Sequence, residues 1–364
     1  MELTAFWHGR RVLVTGHTGF KGAWLCLWLE KLGAEVSALA LAPETTPSLY
    51  TLLAPWQSQH HHIQDIRNLA RLREMFTVSS PEIVIHMAAQ ALVRPSYDDP
   101  VETFETNVMG TVNVLEAARA CPTIRVILVV TSDKIYANDG RGHTFGETDA
   151  LGGNDPYSAS KACTELVCQS YRKSFFKGGN VRLATARAGN VIGGGDWSKD
   201  RLVPDFMRAR EAGQPIALRY PNAVRPWQHV LEPLSGYLAF AEALANASDD
   251  SLPPALNFGP NEQSSATVAD IANALGEADG GGEHWRQAPG THAGEAAILK
   301  LDSALAMHTL GWRPRLSLKD GLAWTTDWYR AHRAGAEMRA FSIAQIAAYE
   351  ERRIADHTAP SVSA

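Results

Sequence analysis

Along the first half of the chain, short apolar runs alternate with longer stretches that repeat with a helical period. Arg11-Val12-Leu13-Val14-Thr15 is a short apolar run and predicts a buried parallel strand. Residues 23–30 predict the helix that follows, and residues 35–41 a second strand. Residues 69–76 predict a helix, 83–87 a buried strand, 101–120 a long helix and 126–130 another buried strand. Such alternation argues an α/β fold built on a doubly wound, mostly parallel, Rossmann-like sheet. Ligands of such sheets bind at the carboxyl ends of the strands.

After Arg187 the pattern becomes irregular. Residues 193–197 read as loop, and 203–212, 231–247 and 267–274 as helices. Residues 276–282 read as a flexible surface turn. We therefore expect a first domain over 1–187, then a smaller C-terminal substrate lobe over 188–354 that crosses back to the sheet. Residues 355–364 are small and polar and are expected to be a disordered tail.

Bulk properties narrow the field. With 364 residues the chain is long enough for a large core and one or two domains. A net charge of −5 gives no sign of a general nucleic-acid binder, and none is expected. Any anionic ligand must then be held by local positive groups. The four cysteines have no paired or metal-like spacing and read as buried, reduced thiols of a cytoplasmic protein. No apolar signal core precedes the first strand, and no run is long enough to span a bilayer. Neither secretion nor a membrane partner is expected. Three adjacent histidines, His60-His61-His62, cannot all face one ion in a regular element, so they read as a solvated loop and no metal site is expected.

Two motifs carry chemistry. Gly16-His17-Thr18-Gly19-Phe20-Lys21-Gly22 sits between the first strand and the first helix. Its glycines allow a tight turn and a close backbone approach to a pyrophosphate at the helix N-terminus. The spacing is Gly-x-x-Gly-x-x-Gly, and the strand–turn–helix context is what gives it weight. The second motif is Asp155-Pro156-Tyr157-Ser158-Ala159-Ser160-Lys161, with Thr131-Ser132-Asp133-Lys134 upstream. Tyr157 and Lys161 are four apart, so a helix puts both on one face. An ammonium beside a phenol favours the phenolate, and a phenol that ionises near neutrality can act as base towards a sugar hydroxyl. Asp133 and Lys134 add two ionisable groups at the same strand end.

Together these motifs resemble the extended short-chain dehydrogenase/reductase superfamily, over about Arg11 to Trp328. With Arg225-Pro226-Trp227-Gln228-His229-Val230 they look like the signatures of the CDP-glucose 4,6-dehydratases. The resemblance implies NAD as cofactor and makes residues 1–187 an NAD-binding domain. It places Gly16, Thr18, Gly19, Phe20 and Gly22 on the dinucleotide. It adds Asp65 and Ile66 at the adenine, and Ala88, Ala89 and Gln90 over the ribose and phosphates. Asn107 enters as a structural asparagine of the cofactor site, beside Tyr157 and Lys161. Asp65 also reads as a helix N-cap. The second strand ends without a carboxylate before Glu44 and without an arginine, so NAD rests on the resemblance.

The resemblance further implies a catalytic set of Ser132, Asp133, Lys134, Tyr157 and Lys161. Substrate contacts are expected from Asn190, Arg201, Arg219, Arg225, Asn261 and Glu295, with His292 nearby. Hydride would pass from C4 of the sugar, water would leave across C5–C6, and hydride would return to C6. Related dehydratases carry Asp-Glu where this chain has Asp133-Lys134. Lys134 then serves either as the C5 base or as an enolate stabiliser, or else pairs with Asp133 or Glu147. The implied product is CDP-4-keto-6-deoxyglucose, for deoxysugar and surface-polysaccharide (O-antigen) synthesis. Two rivals stand beside this hydro-lyase: a nucleotide-sugar 4-epimerase and a non-catalytic dinucleotide sensor. Relatives pair through two long helices, so a homodimer is expected.

Overall fold

The computed structural model describes residues 3–57, 60–260, 265–278, 284–290 and 298–358. Seven strands form the central sheet: β1 Arg11–Thr15, β2 Glu35–Ala40, β3 His61–Ile63, β4 Ile83–His86, β5 Val126–Val130, β6 Arg182–Arg187 and β7 Ala255–Asn257. Their order is β7-β6-β5-β4-β1-β2-β3, and every neighbouring pair is parallel. The strand order reverses between β1 and β4, and that crevice is where such sheets take their ligands.

Successive strand residues feed opposite faces. Val12, Val14, Ile83, Ile85, Val126 and Leu128 join one core, while Leu13, Val84, Ile127 and Val129 join the other. The first face is covered by α1 Phe20–Lys31, which is buried along nearly its whole length. The second is covered by α2 Leu69–Ser79 and α3 Gly110–Arg119. α3 extends the long helix expected over 101–120. The run starts at Pro100, capped by the Asp99 carboxylate, and passes through a π-helical turn at Glu105–Met109.

α4, Pro156–Tyr171, carries Tyr157 and Lys161. Its N-terminus is set by Asp155, whose carboxylate accepts from Ser158 N at 2.9 Å, with Pro156 in the first turn. Its middle is bolted to the sheet by Glu165. That carboxylate accepts from Thr131 Oγ1 at 2.6 Å, Thr185 Oγ1 at 2.7 Å, and Arg187 Nε and Nη2 at 3.0 and 2.9 Å. Both members of the Glu165–Arg187 pair are buried.

Beyond β6 the chain forms α5 Leu202–Glu211, α6 Leu231–Asn246, α7 Val268–Ala278, α8 Leu318–Arg333 and α9 Met338–Thr358. β7 lies between α6 and α7 and completes the sheet beside β6. α9 closes over the first core: Glu350 accepts from Trp28 Nε1 at 2.8 Å and Lys31 Nζ at 2.6 Å, and Arg339 reaches Glu30 at 2.8 Å. α9 enters the segment expected as tail, of which 359–364 lie outside the described residues.

Two local expectations are corrected. His61 and His62 are not loop but the edge strand β3, paired with Ala38 and Leu39. His61 packs against His17, Tyr50 and Trp56, so an aromatic nest holds a segment whose sequence looks polar. Gly276 does not open a turn: α7 runs through it to Ala278, because Ile271, Ala272 and Leu275 bury one helical face. Residues 279–283 of that expected turn lie outside the described residues.

Glu165→Ala leaves Arg187 charged and without its buried carboxylate. Breaking one side of such a pair costs about 3–5 kcal/mol. Urea unfolding should show that loss against wild type; a loss below about 1 kcal/mol would mean that α4 does not depend on this anchor.

Candidate active site

At the end of β1 the chain turns through the glycine motif. Gly16 has φ +84°, and a Cβ there would come 2.7 Å from Ala88 N. A Cβ at Gly22 would come 2.1 Å from the Gly16 carbonyl oxygen. Only bare backbone allows β1, α1 and the end of β4 to approach this closely. Gly19 caps α1 in extended conformation, and Thr18 Oγ1 donates to the Leu41 carbonyl at 2.8 Å. Phe20 is buried in the first core. Thr15 Oγ1 accepts from both Met87 N and Ala88 N at 3.1 Å and contacts His86 Nδ1 at 2.6 Å, which fixes the two strand ends together. This cradle fits a dinucleotide: side-chain-free turn on one side, Ala88 and Ala89 on the other.

The flanking residues divide into contacts and scaffold. Asn107 donates to the Gln90 carbonyl at 3.0 Å and Ser160 Oγ at 2.8 Å, and accepts from Gln90 N at 2.8 Å. Both its amide hydrogens are thus committed within the protein, so it shapes the cofactor loop from behind. Asp65 is not the N-cap of α2; Asn68 is. Asp65 instead binds Arg67, at 2.7 Å to Nη2 and 2.8 Å to the backbone N–H, and these bonds hold its pKa down. Ile66 is buried beside Gly110, and its carbonyl accepts from Asn113 Nδ2 at 3.2 Å.

The catalytic candidates converge after β5. Ser132 caps a single 3₁₀ turn over Asp133–Ile135, its hydroxyl accepting from Lys134 N and contacting Asp133 Oδ1 at 3.1 Å. Asp133 is buried, and its Oδ2 has no partner among the described residues. Burial raises its pKa, while Lys134, Ser132 and Arg225 oppose the rise. Gly189 makes room for it: a Cβ there would lie 1.7 Å from Asp133 Oδ2. Among the described residues Lys134 makes no ion pair with Asp133 or Glu147. The Glu147 carboxylate accepts instead from Asn257 N at 2.8 Å.

Tyr157 departs from expectation. Its phenol is pushed above its ordinary value, first by burial, with Ser132 and Arg201 acting to lower it and Asp133 and Asp155 to raise it. The expected lowering by Lys161 is not what sets it. Lys161 donates to the Val130 carbonyl at 3.2 Å and is itself pushed down to about 8 by burial. An ammonium turned to a backbone oxygen gives the phenolate little support.

The substrate candidates are unevenly placed. Arg225 is buried on the strand Val224–Pro226, close enough to Asp133 to lower its pKa. Arg201 pairs with Asp196 at 3.1 Å and faces Tyr157. Asn190 holds a left-handed backbone at φ +41°, its carbonyl accepting from Gln228 N at 3.2 Å. Arg219 is drawn away from the cluster: it shares Asp200 with Arg94, at 2.8 and 2.7 Å. Asn261, His292 and Glu295 lie outside the described residues. Sequence reasoning missed Gly189, Glu165 and Tyr237. It also passed over Lys21, although a lysine just before Gly22 interrupts the apolar start of α1. Among the described residues no group of three potential metal ligands occurs, and no helix is long and apolar enough to cross a membrane.

A family pattern matches residues 12–252, from the first strand to the approach of the last. The chain belongs to the NAD dependent epimerase/dehydratase family. It is 45% identical over 349 residues to a CDP-glucose 4,6-dehydratase of Salmonella typhimurium, covering 94% of this chain and 97% of the relative. It is similar, at 28% identity and TM-score 0.73, to a UDP-glucose 4-epimerase of Thermus thermophilus solved with NAD, covering 88% of this chain and 99% of the other. A dTDP-glucose 4,6-dehydratase of Streptomyces venezuelae shares the fold at TM-score 0.77 and 23% identity, covering 90% and 99%. The wholly parallel sheet with strand reversal at β1 and β4 is thus that of the epimerase/dehydratase family.

Ser132→Ala removes a hydroxyl that favours the ionised form of Tyr157, so the phenol should titrate at still higher pH. Tyrosinate absorbance, taken as the difference from Tyr157→Phe in each background, checks it. An unchanged or lowered midpoint would detach Ser132 from the phenol.

Proposed function

We propose that this family member is an NAD-dependent hydro-lyase, a nucleotide-sugar 4,6-dehydratase that converts CDP-glucose to CDP-4-keto-6-deoxyglucose and water. The observation that carries the reading is the 45% identity, over nearly both whole chains, to a CDP-glucose 4,6-dehydratase. The buried Asp133 beside Ser132 and Tyr157 supports it. The glycine cradle with Ala88, Ala89 and Gln90 would hold NAD, which when bound would supply reversible hydride transfer to the sugar.

The chain's own residues move the protons. Tyr157, hydrogen-bonded through Ser132, takes the proton of the C4 hydroxyl as C4 is oxidised to the ketone. Asp133 fits the acid that protonates the departing C6 hydroxyl, because burial holds its proton more tightly than a surface carboxyl would. Lys134 takes the proton from C5 or stabilises the enolate formed there. Arg201 and Arg225 hold the anionic arm, and a guanidinium suits phosphate oxygens in pairs. Arg219, tied to Asp200, serves the rim of that arm. An epimerase would need no acid at Asp133, which is why the UDP-glucose 4-epimerase neighbour carries only the second reading.

The enzyme works as a homodimer and in the cytoplasm in this reading. Val101, Phe104, Val108, Met109 and Cys163 line a groove of about 430 Å³ on the outer side of α4, with Leu166 exposed beside it. Exposed apolar area of this kind marks a contact surface. All four cysteines are free, but only Cys26 and Cys168 are buried as expected; Cys121 and Cys163 are half-buried because the first lies just past the end of α3 and the second on the outer side of α4. Sedimentation should give a dimer for wild type and a monomer for Met109→Glu; an unaltered Met109→Glu dimer would place the interface elsewhere.

Three sugars decide the chemistry. CDP-, UDP- and dTDP-glucose deuterated at C4 should each be offered to the enzyme. Turnover should carry the label to C6 without net NADH. CDP-glucose should lead by at least about tenfold, the cost of leaving one base-pocket acceptor unpaired. Steady NADH release would make it a dehydrogenase, and label retained at C4 an epimerase. Asp133→Asn and Lys134→Met should oxidise C4 yet stall before water loss, seen as persistent bound NADH in a single turnover.

A further inference from the structure

Lys21 is used by none of these steps, yet it points into the same cluster. It follows the buried Phe20 in the first turn of α1. Its ammonium donates to the Tyr237 hydroxyl at 3.1 Å and lies 5.2 Å from the centre of that ring. Tyr237 comes from α6 and is fully buried. The charges that face Lys21 come from three further elements: Arg201 at the start of α5, Lys161 on α4 and Asp133 after β5. Among the described residues no carboxylate pairs with Lys21. Arg201 already has Asp196, and Asp133 draws the ionisation of Lys21 upward without pairing with it.

A half-buried lysine beside two cations, with no carboxylate paired to it among the described residues, is an unfavourable arrangement. Burial first, then Arg201 and Lys161, push its ionisation down to about 7, against the pull of Asp133. Packing alone needs no charge here, since an apolar side chain would fill the space at lower cost. The arrangement becomes favourable once an anion lies between Lys21 and Arg201. We propose that Lys21 is a diphosphate-binding residue, which completes the positive cluster with Arg201 and takes up a proton when the diphosphate ester binds. This rests on the nucleotide-sugar reading above, although the NAD diphosphate offers the same chemistry. The sign follows directly: an anion raises the lysine's proton affinity, so binding absorbs a proton and weakens as pH rises above about 7.

Calorimetric titration of the full-length protein with NAD and, separately, with CDP tests it. Each titration is run in two buffers of different ionisation enthalpy, slightly above neutral pH, so that protons are counted. Wild type should take up protons with at least one of the two ligands, and that ligand identifies the source of the diphosphate. Lys21→Met should abolish the uptake and weaken that ligand roughly ten- to a hundredfold. Its difference from wild type cancels the ligand's own titration. Lys21→Arg should keep the affinity and take up no proton, because a guanidinium is already charged. Uptake and affinity unchanged in Lys21→Met would overturn the proposal. So would binding of both ligands to wild type without any uptake, or binding of neither. Should Lys21→Met fail to fold, the wild-type proton count and Lys21→Arg still decide. CDP failing to bind while NAD binds with Lys21-dependent uptake would remove the nucleotide-sugar reading and leave this one standing.

Discussion

One carboxylate, Glu165, holds the site in register. It gathers four donors from the end of β5 and from β6, and it does so from the middle of the helix that carries Tyr157 and Lys161. Those two residues lie one and two turns towards the N-terminus of the same helix. Their height above Ser132 and Asp133 is therefore set by where Glu165 meets the sheet. Asn107 and Ser160 steady the same helix from the other side, against the cofactor loop. Because the anchor is buried and shared among two hydroxyls and a guanidinium, small shifts of the helix are costly in several bonds at once.

The site that results is strongly polarised. Lys21, Lys134 and Arg225 act on one buried aspartic acid whose pKa burial raises, and Arg201 and Lys161 stand beside Lys21. With the protein's groups alone, burial holds the phenol of Tyr157 towards its neutral form and lowers the proton affinity of Lys161 and Lys21. Of these groups Lys21 and Lys161 titrate near neutral pH, while Arg201 stays charged. Such a centre prefers ligands that bring negative charge with them.

Much of this was legible in the sequence where the physics is local. β1, β4 and β5 are apolar at nearly every position because both of their faces are covered. The glycine turn and the Tyr157–Lys161 spacing are local as well. What escaped was set by tertiary partners. β3 is only three residues long and is a strand through its pairing with β2 and its aromatic nest. The pKa of Tyr157 depended on where Lys161 turns and how deeply both are buried, neither of which spacing reveals. Arg219 was a further basic candidate beside Arg225, and only the fold shows that Asp200 claims it. Gly189 has a role only in three dimensions, where the Asp133 carboxyl group presses against it.

The clasp of α9 over α1 has a consequence for how the molecule is made. Trp28 and Glu350 are 322 residues apart, Lys31 and Glu350 are 319, and Glu30 and Arg339 are 309. The helix that follows the cofactor loop leaves the ribosome early, but its outer tryptophan and charges wait for partners translated near the end. Until then an apolar surface stays uncovered on the nascent chain. Closing so wide a loop is slow, and surface left bare in the interval invites association. Packing of the helix after the cofactor loop is thus completed only when the last helix arrives.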